Sequence, residues 1–343
     1  MTSLPYRVPA LYWPLPTARH PRAEELIRRV DEELTIDGAL SEPRYRTAFD
    51  TLGLGELVAQ CHPAGDLEGA VEAAVIAAWA FLADNPQGDQ WMPNVLIPDV
   101  EYLHGEALLA RSLDPEVYER ITHPLERSVA NSLRKLAAYT SPGKVSLYAA
   151  AMIEWFVAEF EDMRLRGKGT PPSLDDAVRI RCITHAGPVV EAYTAATFPR
   201  LTLEEAAAPE IRAIWQLQAL TWSVHNDLYS GYVDFGANST LMRAYMHEHG
   251  TGPQEAADFL GRLADRAAHE GIRRAAELAG TAPPWVRDYT SIAAAYTAAG
   301  LNWYPSVIHT RYQAPGMDMN DVEFRRSPVP AATGRPGIDH LWT

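Results

Sequence analysis

Apolar residues recur at helical spacing along almost the whole chain, and this pattern constrains the fold more than any other feature of the sequence. Runs that alternate β-branched with polar residues, as strands do, are missing, so no sheet is expected. Clusters of glycine and proline, such as residues 167–172, interrupt the pattern because both residue types disfavour helix interiors. The predicted helices cover residues 21–35, 43–61, 66–84, 101–112, 114–138, 144–166, 173–193, 202–222, 223–248, 253–279, 284–299 and 301–312. The sequence therefore predicts an all-α fold of about a dozen helices.

The two ends of the chain differ in composition from the helical region. Residues 1–20 contain Pro5, Pro9, Pro14 and Pro16, and because proline removes an amide donor and fixes φ, we expect an extended N-terminal arm. Residues 313–343 are rich in proline and glycine, which predicts a flexible C-terminal tail. Nothing between the two ends resembles an interdomain linker. Residues 21–312 are therefore predicted to form a single helical domain.

The composition excludes several classes of protein. The 343 residues carry a net charge of −14 at pH 7, whereas a nucleic-acid groove needs a basic surface. The longest strongly apolar run, residues 73–83, is too short to cross a bilayer. The N-terminus lacks a basic segment followed by an apolar one, so no signal peptide is expected. Cys61 and Cys182 form neither a disulfide framework nor a metal-type pair, and a reducing cytoplasm is the simplest location.

Asn226, Ser230 and Asp234 follow one another at intervals of four residues. On an α-helix each such step rotates by about 400°, so the three side chains share one face. Each carries a side-chain oxygen, and a column of oxygen ligands suits a hard cation such as Mg²⁺. These residue types are also common on solvated helix faces. The spacing by itself therefore leaves both interpretations open.

A second acidic segment follows the alanine-rich helix that contains Trp79. Asp84 and Asn85 come at the end of this helix, and Asp89 lies shortly after it. Pro86 disfavours a helical conformation at Asn85, so the helix is expected to end there. The helix dipole opposes an aspartate at a helix C-terminus, and a bound cation would relieve this cost at Asp84. A polar helix end followed by a turn is the alternative interpretation.

A third segment begins with Ser173, which lies three residues before Asp176 and is typical of a helix N-cap. The Asp175-Asp176 pair therefore has a capping explanation, and we do not interpret it as a metal motif. Arg179 and Arg181 are two residues apart and so point to different sides of this helix. One of them can face inward while the other is solvated.

The order of these segments resembles the motif order of the bacterial class I terpene synthases, over a region from about residue 10 to Tyr312. The segments that carry the resemblance are Leu15-Pro16 and His20-Pro21 for the family's opening, Trp79 to Asp89 for its aspartate-rich motif, residues 172–181 for its diphosphate-sensing arginine, Asn226-Asp227-x-x-Ser230-x-x-x-Asp234 for its second metal motif and Arg311-Tyr312 for its C-terminal pair. Each motif is weak alone, and an arginine near a helix end can simply offset the dipole. The last four together, in this order and spacing, are specific.

The resemblance implies a single helical bundle around a central apolar cavity, with Mg²⁺ as the cofactor and about three ions bound. The metal ligands that it implies are Asp84 and Asp89 on one side of the cavity mouth and Asn226, Ser230 and Asp234 on the other. Arg181, Arg311 and Tyr312 would bind the substrate diphosphate through charge-assisted hydrogen bonds. Three positions depart from the family's pattern: Asn85 replaces a second aspartate, Asp234 replaces a glutamate, and Val233 stands where a basic residue is common.

The activity that the resemblance implies is Mg²⁺-dependent loss of diphosphate from a linear prenyl diphosphate, either farnesyl (C15) or geranylgeranyl (C20). Cyclisation of the carbocation would then give a terpene hydrocarbon or alcohol. Aromatic faces stabilise such cations by about 0.5–2 kcal/mol each. The candidates for the pocket are Trp79, Phe81, Trp155, Phe156, Trp222 and Trp303. Each of them could equally be plain core packing.

Two alternative functions stay open at this point. A chain-elongating prenyltransferase would carry two full aspartate-rich motifs, whereas this sequence has one degenerate motif and the Asn226 column. A catalytically silent terpene-binding protein of the same fold is favoured only by Asn85 and Asp234. The sequence predicts no nucleic-acid or membrane partner and leaves a homodimer open.

Overall fold

The computed structural model describes residues 6–83, 95–97, 104–166, 169–234, 239–307 and 324–325, with the backbone alone at 231–234 and 324–325. The α-helices of these residues are α1 (Ala23–Ile36), α2 (Pro43–Thr51), α3 (Leu54–Cys61), α4 (Leu67–Ala83), α5 (Gly105–Leu113), α6 (Pro115–Arg120), α7 (Pro124–Tyr139), α8 (Pro142–Arg166), α9 (Leu174–Thr184), α10 (Gly187–Thr197), α11 (Leu203–Ala207), α12 (Pro209–Asp234), α13 (Leu241–His249), α14 (Pro253–Ala279) and α15 (Pro284–Val307). A 3₁₀ turn covers Ala39–Ser41. The predicted all-α fold is confirmed. Within the described ranges, no helix combines the length and hydropathy needed to cross a membrane.

One short strand pair accompanies the helices. Strand β1 (Leu11–Tyr12) runs parallel to β2 (Phe324–Arg325), with Leu11 opposite Phe324. Residues 11–12 of the N-terminal arm are therefore extended, and the extended conformation of the whole arm stays a prediction. The C-terminal segment pairs with it at residues 324–325, and the rest of the predicted tail, residues 313–323 and 326–343, lies outside the described residues.

Five predicted helices are divided in the structure: 43–61, 114–138, 173–193, 202–222 and 223–248. Three of these divisions have local reasons. The region 43–61 is interrupted at Gly53, whose φ of +58° is left-handed and accessible to glycine. Pro124 starts a new helix within the region 114–138, because proline fits the first helical position and removes a donor from a helix interior. The region 173–193 breaks at Ala186, which has a left-handed φ of +61° although it has a side chain.

Two predicted breaks do not occur. The break between residues 222 and 223 was wrong, because α12 continues without interruption from Pro209 to Asp234. No glycine or proline stands at 222–223, whereas Pro209 provides a favourable first turn. The break near residue 300 is also absent, since α15 runs through Pro305 to Val307.

The chain divides into two compact units, each built from segments that are distant in sequence. Unit 1 consists of Met1–Thr17, Ala158–Gly187 and Ala208–Thr343, and unit 2 consists of Ala18–Val157 and Pro188–Ala207. Two of the four divisions of the chain fall within helices, the one at 157–158 in α8 and the one at 187–188 in α10. The single domain and the central apolar cavity stay predictions.

In unit 1, α12 packs along α14 and α15, and α9 and α13 contact it as well. Gly271 of α14 permits this close approach, because a Cβ there would lie 2.8 Å from Nε2 of Gln218 on α12. The N-terminal arm is fixed to the same unit: the Tyr6 hydroxyl donates to the Leu228 carbonyl at 2.7 Å. The Tyr12 amide donates to the buried Asp265 carboxylate at 2.6 Å. Helix α12 is thus held on several sides.

In unit 2, α1 packs against α3 and α4, and α4 also contacts α7. The residues of α4 are apolar almost all round, and most of them are buried. A helix that is hydrophobic on all faces belongs in a core. The alanine-rich helix before the first acidic segment is therefore the central helix of unit 2.

Candidate metal and diphosphate site

Helix α12 carries the predicted metal column. Because the helix is continuous to Asp234, Asn226 and Ser230 share a face as their spacing predicts. Asn226 is partly exposed and Ser230 is buried, with 1% of its surface accessible. Asp234 lies one turn further on the same helix, and its side chain is outside the described part of the structure.

The Ser230 hydroxyl is the most informative group of this column. Its Oγ atom is buried and has no hydrogen-bond partner among the described residues. A serine or threonine inside a helix commonly donates to the carbonyl four residues earlier, as Thr221 of α12 does to Leu217 at 2.8 Å. A buried hydroxyl without a partner costs about 1–3 kcal/mol. An oxygen left in this state fits a site for a hard cation, which would satisfy it.

The Asn226 side chain contacts a histidine that the sequence analysis did not single out. Oδ1 of Asn226 lies 3.1 Å from Nε2 of His185, which follows the last residue of α9. His185 is partly exposed, like Asn226. No sequence signal marks this contact, because the two residues are 41 positions apart.

Arg181, the predicted diphosphate-binding arginine, is buried and paired with Asp227. Both Nε and Nη2 of Arg181 donate to Oδ1 of Asp227, the former at 2.9 Å. The other carboxylate oxygen of Asp227 accepts the backbone amide of Leu241 at 2.7 Å, at the start of α13. Asp227 therefore links α9, α12 and α13. The sequence analysis quoted this aspartate within the second metal motif but assigned it no role.

The neighbouring arginine behaves as the helical spacing predicts. Arg179 is exposed and forms a salt bridge with Glu161 at 3.1 Å, whereas only 4% of the Arg181 surface is accessible. The predicted N-cap of the same helix is also confirmed, since the Ser173 hydroxyl accepts the Asp176 amide at 3.2 Å. The helical spacing thus predicted that the two arginines lie on different sides of α9, and the structure shows that Arg181 is the buried one.

A second buried acid lies close to Arg181. Asp162 of α8 accepts a hydrogen bond from Nε of Arg166 at 2.6 Å and is 3% exposed. Burial by itself would raise the pKa of the Asp162 carboxyl, but the charges of Arg181 and Arg166 outweigh it and hold that pKa below its ordinary value. The negative charges of Asp162 and Asp227 therefore balance the positive charges of Arg166 and Arg181 in this part of unit 1.

Two of the predicted pocket aromatics belong to unit 1. Trp222 precedes Asn226 by one turn and is partly exposed, and its ring centroid lies 5.7 Å from that of Tyr296. Its indole Nε1 donates to the His185 carbonyl at 3.3 Å. Trp303 is buried next to Tyr304, with 5.6 Å between the ring centroids. Trp222 is thus the aromatic that the structure places beside the Asn226 side of the column.

Three other predicted aromatics form a buried cluster in unit 2. The ring centroid of Trp155 lies 5.3 Å from that of Trp79 and 5.1 Å from that of Phe156. The Trp79 indole donates to the Leu125 carbonyl at 3.0 Å, which satisfies its polar atom. Phe81, two residues after Trp79, is partly exposed. The cluster has the packing of a core, and its contact with a substrate stays a prediction.

Four predicted site residues lie outside the described residues: Asp84, Asp89, Arg311 and Tyr312. Across the described ranges, no group of three or more His, Cys, Asp or Glu side chains could hold a metal ion. The oxygens of Asn226 and Ser230 are the described donors that fit one.

Comparisons with known proteins match the part of the chain that contains these residues. A family model described as terpene synthase family 2, C-terminal metal binding, matches residues 102–270, which include α9 and α12. Spiroviolene synthase of Streptomyces violens is 25% identical over 285 residues, covering 79% of this chain and 78% of its own length. A diterpene cyclase of a Streptomyces species is 24% identical over 193 residues, covering 54% of this chain and 51% of its own length.

Solved structures show the same fold. The structure of a hedycaryol synthase in complex with nerolidol superposes with a TM-score of 0.69 at 18% identity, covering 87% of this chain and 100% of the other. The family match spans the segment that holds Arg181, Asn226 and Ser230. Sequence relatives and fold agree with the motif order, and the chain belongs to the bacterial class I terpene synthases.

Proposed function

We propose that this terpene synthase ionises and cyclises a linear prenyl diphosphate in a Mg²⁺-dependent reaction, giving a terpene hydrocarbon or alcohol and diphosphate. One observation carries the proposal more than any other: the Ser230 hydroxyl is buried without a partner among the described residues, on the face of α12 that also presents Asn226. The metal-binding description of the matched family supports the same interpretation.

Asn226, Ser230 and Asp234 would hold one ion from α12. All three offer oxygen, which Mg²⁺ prefers. A bound Mg²⁺ supplies Lewis-acid stabilisation of the charge that develops on the diphosphate oxygens. A chain with a net charge of −14 has little other means of attracting a polyanion, apart from local arginines.

Arg181 would contribute one such local charge, together with Arg311 and Tyr312 of the C-terminal segment. Its guanidinium is held by Asp227, so its position is fixed before the substrate arrives. A preorganised donor stabilises developing charge without the cost of reorganisation at the moment of reaction. In this proposal, Asp227 orients Arg181, and Arg181 binds the leaving diphosphate by charge-assisted hydrogen bonds.

Trp222 is the described aromatic best placed to face the substrate hydrocarbon. It is partly exposed and lies on the α12 face of Asn226, one turn earlier. The face of a tryptophan stabilises a nearby cation by about 0.5–2 kcal/mol. It also adds no nucleophile that would trap a carbocation before it cyclises.

The substrate is either C15 or C20, and the diterpene cyclase among the relatives supports the longer chain. Incubation of the protein with C10, C15, C20 and C25 diphosphates plus Mg²⁺, followed by gas chromatography with mass detection, tests the proposal. We expect cyclic products from one chain length, with stoichiometric diphosphate, and none when EDTA removes the metal. Absence of product at every chain length would contradict it. A longer linear diphosphate formed on addition of isopentenyl diphosphate would instead indicate a prenyltransferase.

A further inference from the structure

We propose that His185 is a positioning residue of the metal site, which orients the Asn226 side chain so that its oxygen faces the ion. The inference rests on the proposed function, because it assigns a role toward the same Mg²⁺. It adds the residue that caps the C-terminus of α9 to a site that otherwise consists of the α12 column. The contact that carries it is the 3.1 Å approach of Nε2 of His185 to Oδ1 of Asn226.

The backbone around His185 is fixed at several points. His185 caps the C-terminus of α9, and its amide donates to the Arg181 carbonyl at 3.0 Å. Its own carbonyl accepts the Trp222 indole of α12 at 3.3 Å. Ala186 follows in a left-handed conformation, with φ of +61°. For a residue with a side chain, such a conformation costs about 1–2 kcal/mol, so the surrounding packing must hold this turn in place.

The turn also lies very close to α12. A Cβ added at Gly187 would meet the Cys182 carbonyl at 2.8 Å and the Ala219 side chain at 2.9 Å. No side chain fits between these groups without a shift of the backbone. The separation between the His185 backbone and α12 is therefore determined by packing. From this backbone position the imidazole reaches Asn226, which lies one turn after Trp222 on that helix.

The asymmetry of an amide explains why this contact matters. An asparagine side chain ends in one oxygen and one NH₂ group, and a half-turn of the amide exchanges them. Only the oxygen can bind a cation. With Oδ1 facing the ring, Nε2–H of His185 donates to one lone pair of this oxygen and leaves the second lone pair for the ion. The contact with His185 therefore favours the orientation of the amide in which Oδ1 lies at the ring.

Partners that orient a metal ligand typically change metal affinity by about 10–100-fold when they are removed. We therefore expect His185→Ala to weaken metal binding by at least about tenfold. His185→Gln places an amide NH₂ close to the position of Nε2 and should restore most of the affinity. His185→Asn places its amide near the position of Nδ1 instead, so it should resemble the alanine variant.

The test measures Mn²⁺ binding by electron paramagnetic resonance, with inorganic diphosphate present and no prenyl substrate. The wild type, the three His185 variants and His247→Ala are titrated in parallel. His247 is an exposed histidine of α13 and serves as a matched control that should bind as the wild type does. A thermal melt of each variant verifies that it is folded.

A second readout separates positioning from general damage. At saturating Mg²⁺ the KM for the prenyl diphosphate should stay within about threefold of the wild type, while the Mg²⁺ concentration for half-maximal rate rises about tenfold. Equal Mn²⁺ affinity of wild type and His185→Ala overturns the inference and leaves the proposed function intact. Failure of His185→Gln to recover affinity above His185→Asn also overturns it. If the wild type itself binds no Mn²⁺ with diphosphate, the proposed function fails as well.

Discussion

Replacement of Ser230 by alanine should make the metal-free protein more stable and at the same time impair metal binding. The hydroxyl is 1% exposed and has no partner among the described residues. Its removal relieves a desolvation cost of about 1–3 kcal/mol, and alanine also favours the helix by about 0.5 kcal/mol. The void left by one oxygen atom reduces the gain. We expect the free energy of unfolding to rise by about 1 kcal/mol.

Ser223 of the same helix provides a matched control. It is fully buried like Ser230, but its hydroxyl donates to the Arg181 carbonyl at 3.3 Å. Ser223→Ala gains the same helix propensity and loses a hydrogen bond worth about 1 kcal/mol. The two variants should therefore differ by about 2 kcal/mol, although each removes one buried serine hydroxyl from α12.

Calorimetry of EDTA-treated protein measures this difference. For a domain of this size, 1 kcal/mol corresponds to about 2 °C in Tm, so Ser230→Ala should melt about 4 °C above Ser223→Ala. Addition of Mg²⁺ with inorganic diphosphate should raise the Tm of the wild type more than that of Ser230→Ala, because a ligand stabilises the state that binds it. The reasoning is refuted if Ser230→Ala is the less stable of the two without metal, or if it responds to Mg²⁺ as the wild type does.

Three further predictions concern other residues. Asn226→Ala should abolish turnover with unchanged far-ultraviolet circular dichroism, and full activity of this variant would show that the column is not a metal site. Asp227→Asn removes the charge of the carboxylate that pairs with the buried Arg181, which should lower the free energy of unfolding by about 3 kcal/mol; an unchanged denaturant midpoint would contradict this. Burial lowers the pKa of His62 to about 4, so the folded state favours the neutral ring. The stability that His62 contributes is therefore present above pH 6.5 and lost as the pH falls toward 4. In urea titrations, His62→Gln should reduce the pH dependence of the free energy of unfolding by about 1.4 kcal/mol per pH unit in this range. An unchanged pH dependence would count against the buried neutral ring.

Local spacing predicted a large part of this fold. The helical recurrence of apolar residues and the lack of strand patterns predicted an all-α chain, and α14 begins and ends where its proline and glycine predict. The predictions failed where two helices are joined by a short turn. Nothing in the local pattern at Ala186 marks a left-handed residue, because alanine ordinarily favours a helix interior. In the opposite direction, α12 continues through 222–223, because its packing against α14 and α15 stabilises a longer helix than the pattern indicated.

Some features of the candidate site could likewise be predicted from the sequence, and others could not. The sequence by itself determined that Asn226 and Ser230 share a helix face and that Arg179 and Arg181 do not, since both follow from the rotation per residue of an α-helix. Only the tertiary structure decided that Arg181 pairs with Asp227, 46 residues away, and that His185 contacts Asn226, 41 residues away. The helical period determines which residues of one helix share a face. It does not encode which helix packs against that face, because packing depends on the shapes of side chains that are distant in sequence.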